Sequence, residues 1–240
     1  MWWFAALHAN LLDLFRRAVA QGDARNTGLK PLLDAGCGTG GLLAALARAY
    51  PERTVVGLDA DLFAVTRARR KSGSPVCVGS VNALPFADST FGAIISADVL
   101  CHRDVDEMGA LDQFHRCLVQ RGLLVLNLPA YQWMLSRHDA AVANVRRYSR
   151  GLMQALLKAT GFRLLEISYW NAMLFPVMAA SRKLLPARTR RSDVAVHCSA
   201  FDRIGRIATG FERRLLQRRL HLPFGGSIIA AAVKEGGVNA

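Results

Sequence analysis

The chain has 240 residues, 52% of them hydrophobic, enough to bury a full core and to exclude a disordered or low-complexity protein. Its net charge of +13 is unevenly placed, because eleven Lys or Arg between Arg182 and Arg219 stand against only three acids, Asp193, Asp202 and Glu212. Five scattered cysteines (Cys37, Cys77, Cys101, Cys117 and Cys198) include no C-x-x-C pair, which argues against a disulfide framework or a metal site and for a reducing cytoplasm.

The N-terminal MWWFAALHANLLDLF lacks a basic start and a small-residue cleavage site, so it reads as a mature helix, part of a helical cap over residues 1–30. From 31 to 170, strand-like and helix-like runs alternate, the signature of βαβ units around a parallel sheet. The strands are expected at 31–36, 53–59, 75–80, 91–97, 121–129 and 162–170, with a last one at 225–235. Between them GLLAALARAY, DLFAVTRARRK, DEMGALDQFHRCL and SRGLMQALLKATG carry apolar residues at helical spacing. The fourth is bounded by Ser149 as a cap and Gly161 as a stop. One domain over residues 1–240 is expected.

Residues 171–224 form a basic helical insertion before the last strand. Its longest apolar stretch, NAMLFPVMAAS, is roughly half of the about 20 residues a membrane-spanning helix needs. Further on, Phe201, Ile204, Ile207, Phe211, Leu215 and Leu216 mark an amphipathic helix with a basic polar face. That composition suits a lid or a peripheral contact with an anionic membrane at the inner face, and equally two ordinary helices on the sheet edge. The positive charge is either a surface for an anionic partner or an Arg-rich solvated face.

LLDAGCGTGG (32–41) runs from strand through a glycine-rich turn into a helix, which permits a tight turn, close ligand approach and free helix N–H groups. Gly36, Gly38 and Gly41 also satisfy G-x-G-x-x-G, so the loop alone does not exclude a nicotinamide cofactor. Asp34, at the end of the first strand, is an awkward neighbour for a pyrophosphate and a good one for a cationic amino acid. Asp59 closes the second strand, where a carboxylate can accept both hydroxyls of a ribose.

With DAGCGTGG, GLD and ALPFADSTFGAIIS in this order, the chain resembles the class I S-adenosylmethionine-dependent methyltransferases over most of residues 31–170. The resemblance implies a Rossmann-like, doubly wound α/β fold with a seven-stranded sheet, mostly parallel with one antiparallel strand. It implies S-adenosylmethionine as cofactor, its methionine end met by Asp34, Gly36, Cys37, Gly38 and Gly40 and its ribose by Asp59 with Leu58 or Ala60 beside it. Ser80, Val81 and Asn82 would surround the adenine, and Asp98 would bind cofactor or polar substrate. Ser80 departs from the Asp of many members, leaving the adenine amino group to Asn82 or to backbone.

Methyl transfer from a sulfonium needs alignment above all, and a base only where the acceptor loses a proton. His102 after the fourth strand and His138 after the fifth are the candidate bases; a loop histidine near the cofactor sulfur is the alternative for His102. In SRHDAAVANVRRYS, Arg146 and Arg147 could clamp a phosphate or carboxylate, with Asp139 and Tyr131 also on the substrate side and Tyr148 covering the donor methyl. The alternative is that the arginines and Asp139 form salt bridges that hold the loop. W-W-F, P-A-Y-x-x-x-x-S-x-H-D and R-R-Y-S resemble a bacterial methyltransferase subgroup linked to polysaccharide and lipid-linked glycan functions, without the basic residue usual after W-W-F. Trp2, Trp3, Phe4, Tyr131, Trp133, Trp170 and Phe175 would offer an apolar wall, or are plain core.

The expected activity is methylation of a small-molecule or lipid-linked, anionic and partly apolar acceptor. A nucleic-acid methyltransferase suits the charge, but no Asn or Asp before Pro-Pro-aromatic follows the fourth strand, where SADVLCH stands. A noncatalytic adaptor is the other alternative. Oligomeric state is not legible.

Overall fold

The alternating segments build one seven-stranded sheet. A computed structural model describes residues 2–21, 28–184 and 199–235; the side chains of His138, of 181–184 and of 199–202 lie outside that description. The strands are β1 (Leu32–Ala35), β2 (Val55–Asp59), β3 (Val76–Val78), β4 (Phe91–Ala97), β5 (Leu118–Pro129), β6 (Phe162–Trp170) and β7 (Ser227–Lys234). Their order is β3-β2-β1-β4-β5-β7-β6. β7 runs antiparallel to both β5 and β6, and the remaining pairs are parallel. The doubly wound, mostly parallel sheet with one antiparallel strand is thus as the sequence implies.

The helices are α1 (Trp2–Ala20), α2 (Gly41–Ala49), α3 (Leu62–Ser72), α4 (Glu107–Cys117), α5 (Arg137–Ala141), α6 (Arg150–Ala159), α7 (Phe175–Leu184) and α8 (Ser199–Gln217). They cover both faces of the sheet, which is why β1 is buried throughout and shows no polar alternation. Because neighbouring strand residues point to opposite faces, Leu33, Ile94 and Leu124 pack with Leu111, Phe114 and Leu157 on one side. Leu32, Ile95 and Leu123 pack with Leu11, Leu14, Leu43 and Leu216 on the other. Ser149 caps α6 by accepting from Leu152 N at 3.2 Å, and Gly161 just beyond it has φ 76°.

Two expectations need adjustment. β5 starts at Leu118 rather than at Arg121, because α4 leads straight into it; the irregularity falls at Arg121, with φ 60°. The insertion helix α8 turns a different face inward from the apolar seam read in the sequence. Gly205, Ala208, Thr209, Glu212 and Leu216 are buried, whereas Ile204, Ile207 and Phe211 are exposed. Small residues decide this, since a Cβ on Gly205 would lie 2.5 Å from the Trp2 indole. α1 can therefore lie close against α8, and Asp13 fixes the pairing by accepting from Arg213 at 2.6 Å and Gln217 at 2.7 Å. The basic positions Arg188, Arg190 and Arg191 lie outside the described residues. Among those described, no helix is long and apolar enough to cross a membrane.

Candidate active site

The glycine loop leaves β1 where ligands bind in open α/β sheets, beyond the carboxyl ends of the strands. Gly36 N and Cys37 N both donate to Leu58 O, at 2.8 and 2.9 Å, which turns the chain back across β2. Gly36, Gly38 and Gly40 have φ of 82°, 51° and 79°. A Cβ on Gly36 would sit 2.2 Å from Val99 Cγ2 and one on Gly40 2.7 Å from Ala68 Cα, so those two glycines serve packing. A Cβ on Gly38 would meet nothing within 4 Å; open space lies there.

Two carboxylates flank that space. Asp59 accepts from Gly38 N at 2.7 Å and from Asp61 N at 3.0 Å, which orients it and leaves lone pairs on both oxygens for a ligand. Of its two expected neighbours, Leu58 is core and Ala60 is exposed. Asp34 is buried and its Oδ2 has no hydrogen-bond partner among the described residues. Burial, and then the charge of Asp59, push its carboxyl up to about 8 against a hydrogen bond from the Leu43 backbone. A buried carboxyl with an idle oxygen fits a ligand that brings a cationic donor. The donor set accordingly fits S-adenosylmethionine.

At the turn after β3, where the resemblance implies the adenine, Ser80 pairs with Ala83 and its hydroxyl accepts from Asn82 N at 3.2 Å. The Asn82 side chain is spent on the next loop, donating to Asp104 O at 2.9 Å and accepting from Asp106 N at 3.1 Å. That leaves the Ser80 hydroxyl and the backbone around Val81, whose side chain is buried, as the groups able to face a ligand.

Asp98 follows β4 with φ 56° and is partly buried. It accepts from Asn127 Nδ2 at 2.9 Å, and Asn127 Oδ1 accepts from Trp170 Nε1 at 2.7 Å. Burial pushes the Asp98 carboxyl up to about 7, with Asn127 and the Arg147 charge opposing. Sequence reasoning found Asp98 but missed the relay, whose members come from three different strands or strand ends.

The RRYS loop is placed differently from a substrate clamp. Arg147 is buried against Asp139, with Nη2 2.7 Å from Oδ1, and also donates to Ala130 O at 3.1 Å. Asp139 in turn accepts from the Ser136 hydroxyl at 2.7 Å. Arg146 donates to the carbonyls of His102 and Val105. Tyr148 is 1% exposed, and its hydroxyl meets Leu100 O at 2.9 Å and Glu107 Oε2 at 2.7 Å. Its side chain therefore lies in the core, not over an open donor site. These groups tie the loop after β4 to the loop after β5: Arg147 and Asp139 form an ion pair, while Arg146 is held by backbone carbonyls. His102 is half-exposed, with Nδ1 3.8 Å from Asp104; the side chain of His138 lies outside the described residues.

Tyr131, with φ 62°, gathers an aromatic cluster. Its ring stacks on Tyr169 at 5.2 Å and lies 5.3 Å from Phe175 and 5.8 Å from Trp133, while Phe224 is 6.0 Å from Phe175. Burial and the Tyr169 hydroxyl push the Tyr131 hydroxyl up to about 12. The Arg150 guanidinium stands 5.9 Å from the Tyr169 ring. Trp170, expected in the same wall, is instead buried and stacked on Trp3 at 5.6 Å. Tyr169, Phe224 and Arg150 were not singled out from the sequence. Neither was His8, which lies so close to Gly41 that a Cβ there would be 2.8 Å from its Cε1. Burial and the charges of Lys71 and Arg48 push His8 down to about 4, so it stays neutral.

Residues 33–126 match a family model described as a methyltransferase domain. The chain is 36% identical over 112 residues to 24-methylenesterol C-methyltransferase 2 of Oryza sativa subsp. japonica, covering 43% of this chain and 29% of the relative. It is 31% identical over 90 residues to fatty-acid O-methyltransferase of Mycolicibacterium smegmatis, covering 36% of this chain and 32% of the relative. The chain thus spans about a third of the length of these curated relatives. Among solved structures, geranyl diphosphate C-methyltransferase from Streptomyces coelicolor A3(2) superposes with a TM-score of 0.57 at 14% identity, over 91% of this chain and 79% of that one. At that identity the likeness speaks for the fold alone.

Proposed function

We propose that this chain, which carries a methyltransferase domain on the class I S-adenosylmethionine-dependent methyltransferase fold, transfers a methyl group to a small, apolar or lipid-like acceptor. The observation that carries this reading is the aromatic cluster around Tyr131 at the same end of the sheet as the glycine loop. S-adenosylmethionine, when bound, supplies an electrophilic methyl on a good leaving group. The protein's own work is then alignment and exclusion of water.

In this reading Asp34 holds the amino-acid end, the glycine loop receives it at Gly38, and Asp59 holds the ribose. Asp98 and Asn127 fix the polar boundary between cofactor and acceptor. Tyr131, Trp133, Tyr169, Phe175 and Phe224 form the apolar wall for the acceptor. Where the acceptor must lose a proton, Asp98 is a suitable base, because a carboxyl pushed up to about 7 is poised near neutral pH. His102, half-exposed beyond the same strand, is the second candidate, and His138 the third.

An anionic acceptor clamped by Arg146 and Arg147 together has little support, since Arg147 is buried on Asp139 and Arg146 spends its Nη2 on two backbone carbonyls. Arg150 beside Tyr169 is the cation nearest the aromatic wall. Relatives named for sterols and fatty acids favour an acceptor with a long apolar part. The polysaccharide-linked resemblance rests on the short motifs alone.

The test incubates purified protein with methyl-labelled S-adenosylmethionine and a lipid extract or a total cell lysate. Label is expected in the organic phase, and its loss in Tyr131→Ala and Phe175→Ala variants that still bind S-adenosylhomocysteine would assign the wall to the acceptor. Label in nucleic acid would replace this reading with the nucleic-acid one, and cofactor binding without label in any fraction would favour the adaptor.

A further inference from the structure

The inward face of α8 is fully used, and its outward face is the least explained surface of the described protein. Ile204, Ile207 and Phe211 are 57%, 68% and 53% exposed. At spacings of three and four residues they form one stripe along the helix. Arg203, Arg206 and Arg214 are exposed along one side of it. The acid Glu212 does not face this surface, being 1% exposed and accepting from Met173 N at 2.6 Å. A shallow groove of about 600 Å³ on α8 has Arg206, Ile207, Phe211 and Arg214 in its lining.

We propose that α8 docks the protein on an anionic lipid bilayer, with Ile204, Ile207 and Phe211 entering the headgroup region and Arg203, Arg206 and Arg214 meeting lipid phosphates. An apolar stripe flanked by arginine on one exposed helix face is the composition of an interfacial helix. The helix is presented rigidly, because Asp13 holds Arg213 and Gln217 while Glu212 holds the segment after β6. Three side chains are too few for a stable protein interface, which needs about 800 Å² per partner. A second copy meeting through the same stripe would also set arginine against arginine. Anionic lipid satisfies both halves of the surface, since each arginine near the membrane adds attraction to that of the buried apolar groups.

The docking face is joined to the apolar wall through the chain itself. Glu212 anchors Met173, and two residues later Phe175 lies 5.3 Å from Tyr131. Docking would thus bring the proposed acceptor wall to the source of a lipid acceptor. The inference rests on α8 and holds whether or not the acceptor reading does.

Vesicle flotation without cofactor tests it, using phosphatidylcholine alone and phosphatidylcholine containing about a third phosphatidylglycerol. The wild-type chain is expected to float with the anionic vesicles and to be released by salt. The pairs Ile207→Asp with Phe211→Asp, and Arg206→Glu with Arg214→Glu, are each expected to weaken binding by about ten-fold or more. S-adenosylhomocysteine affinity, measured without vesicles, should be unchanged in both, which separates this inference from the methyl-transfer reading. If the aspartate pair does not fold, Ile207→Ser with Phe211→Ser carries the same test. Equal binding to neutral and anionic vesicles, no flotation, or a wild-type dimer dissolved by the same substitutions would each overturn the proposal.

Discussion

Trp170 donates its indole N–H to Asn127 Oδ1 across 2.7 Å, both side chains being wholly buried. Asn127 uses its other end on Asp98 at 2.9 Å, so the amide cannot turn over without setting donor against donor. Replacing Trp170 by Phe strands the Asn127 oxygen, at a cost of about 1–3 kcal/mol in urea denaturation, and the smaller ring leaves a cavity that adds to it. Replacing Asn127 by Ala removes a bond that holds the Asp98 carboxyl down, so Asp98 should ionise at higher pH than about 7. If Asp98 acts as the base, the acid-side limb of the rate profile, where activity rises with pH, shifts to higher pH in Asn127→Ala. An unmoved limb would leave Asp98 a purely structural acid.

Arg147 and Asp139 are the buried ion pair of the loop after β5, 7% and 2% exposed at their side chains. Removing one partner leaves the other charge unpaired, so Arg147→Ala should cost about 3–5 kcal/mol. For Asp139, burial raises the carboxyl, but the Ser136 hydroxyl and Arg147 outweigh it and hold it below its ordinary 3.8. A depressed carboxylate contributes stability above its unfolded value, and that contribution is lost as pH falls through the folded one. Acid unfolding should therefore begin at higher pH in Asp139→Asn than in the wild type, as followed by circular dichroism. Coincident acid transitions would show that the pair contributes little.

Asp34 gives the opposite sign. Its carboxyl rises from 3.8 to about 8 in the ligand-free fold. A raised carboxyl leaves stability intact below the unfolded value and removes it as pH climbs through the folded one. The free protein should lose thermal stability between about pH 4 and pH 8 through this group, and Asp34→Asn should flatten the decline. The same substitution removes the partner offered to a cationic ligand, weakening S-adenosylhomocysteine by about ten-fold or more in calorimetry. A flattened stability curve with unchanged affinity would confine Asp34 to the fold.

The strands at 91–97 and 162–170 are legible to the residue, because each is an apolar run bounded by turn signals at both ends. The glycine loop is legible for a related reason, since its chemistry is local: strand, turn and helix lie in ten consecutive residues. The role of RRYS is not, because its partners Leu100, Glu107 and Ala130 come from the loop after β4, the start of α4 and the end of β5. An Arg-Arg-Tyr run looks the same whether it grips a ligand or a neighbouring loop. The orientation of α8 fails for another reason. Periodicity marks a helix as amphipathic, while close approach to α1 at Gly205 selects the small-residue face over the large apolar one.

Gly36 and Gly38 separate packing from binding within a single turn. Both have positive φ, so alanine at either costs about 1–2 kcal/mol of backbone strain. At Gly36 the added methyl would also press on Val99 Cγ2 at 2.2 Å, and overpacking adds about 1–3 kcal/mol more. At Gly38 the methyl enters open space and meets no protein atom within 4 Å. Gly38→Ala should therefore remain folded, with a modestly lower melting temperature, and lose S-adenosylhomocysteine affinity because the methyl occupies the ligand's approach to the main chain. Gly36→Ala should lose stability first, with weakened binding as a consequence. Retained affinity in a folded Gly38→Ala variant would mean that the cofactor does not contact the loop at this point and would move its methionine end toward Asp34 and Cys37.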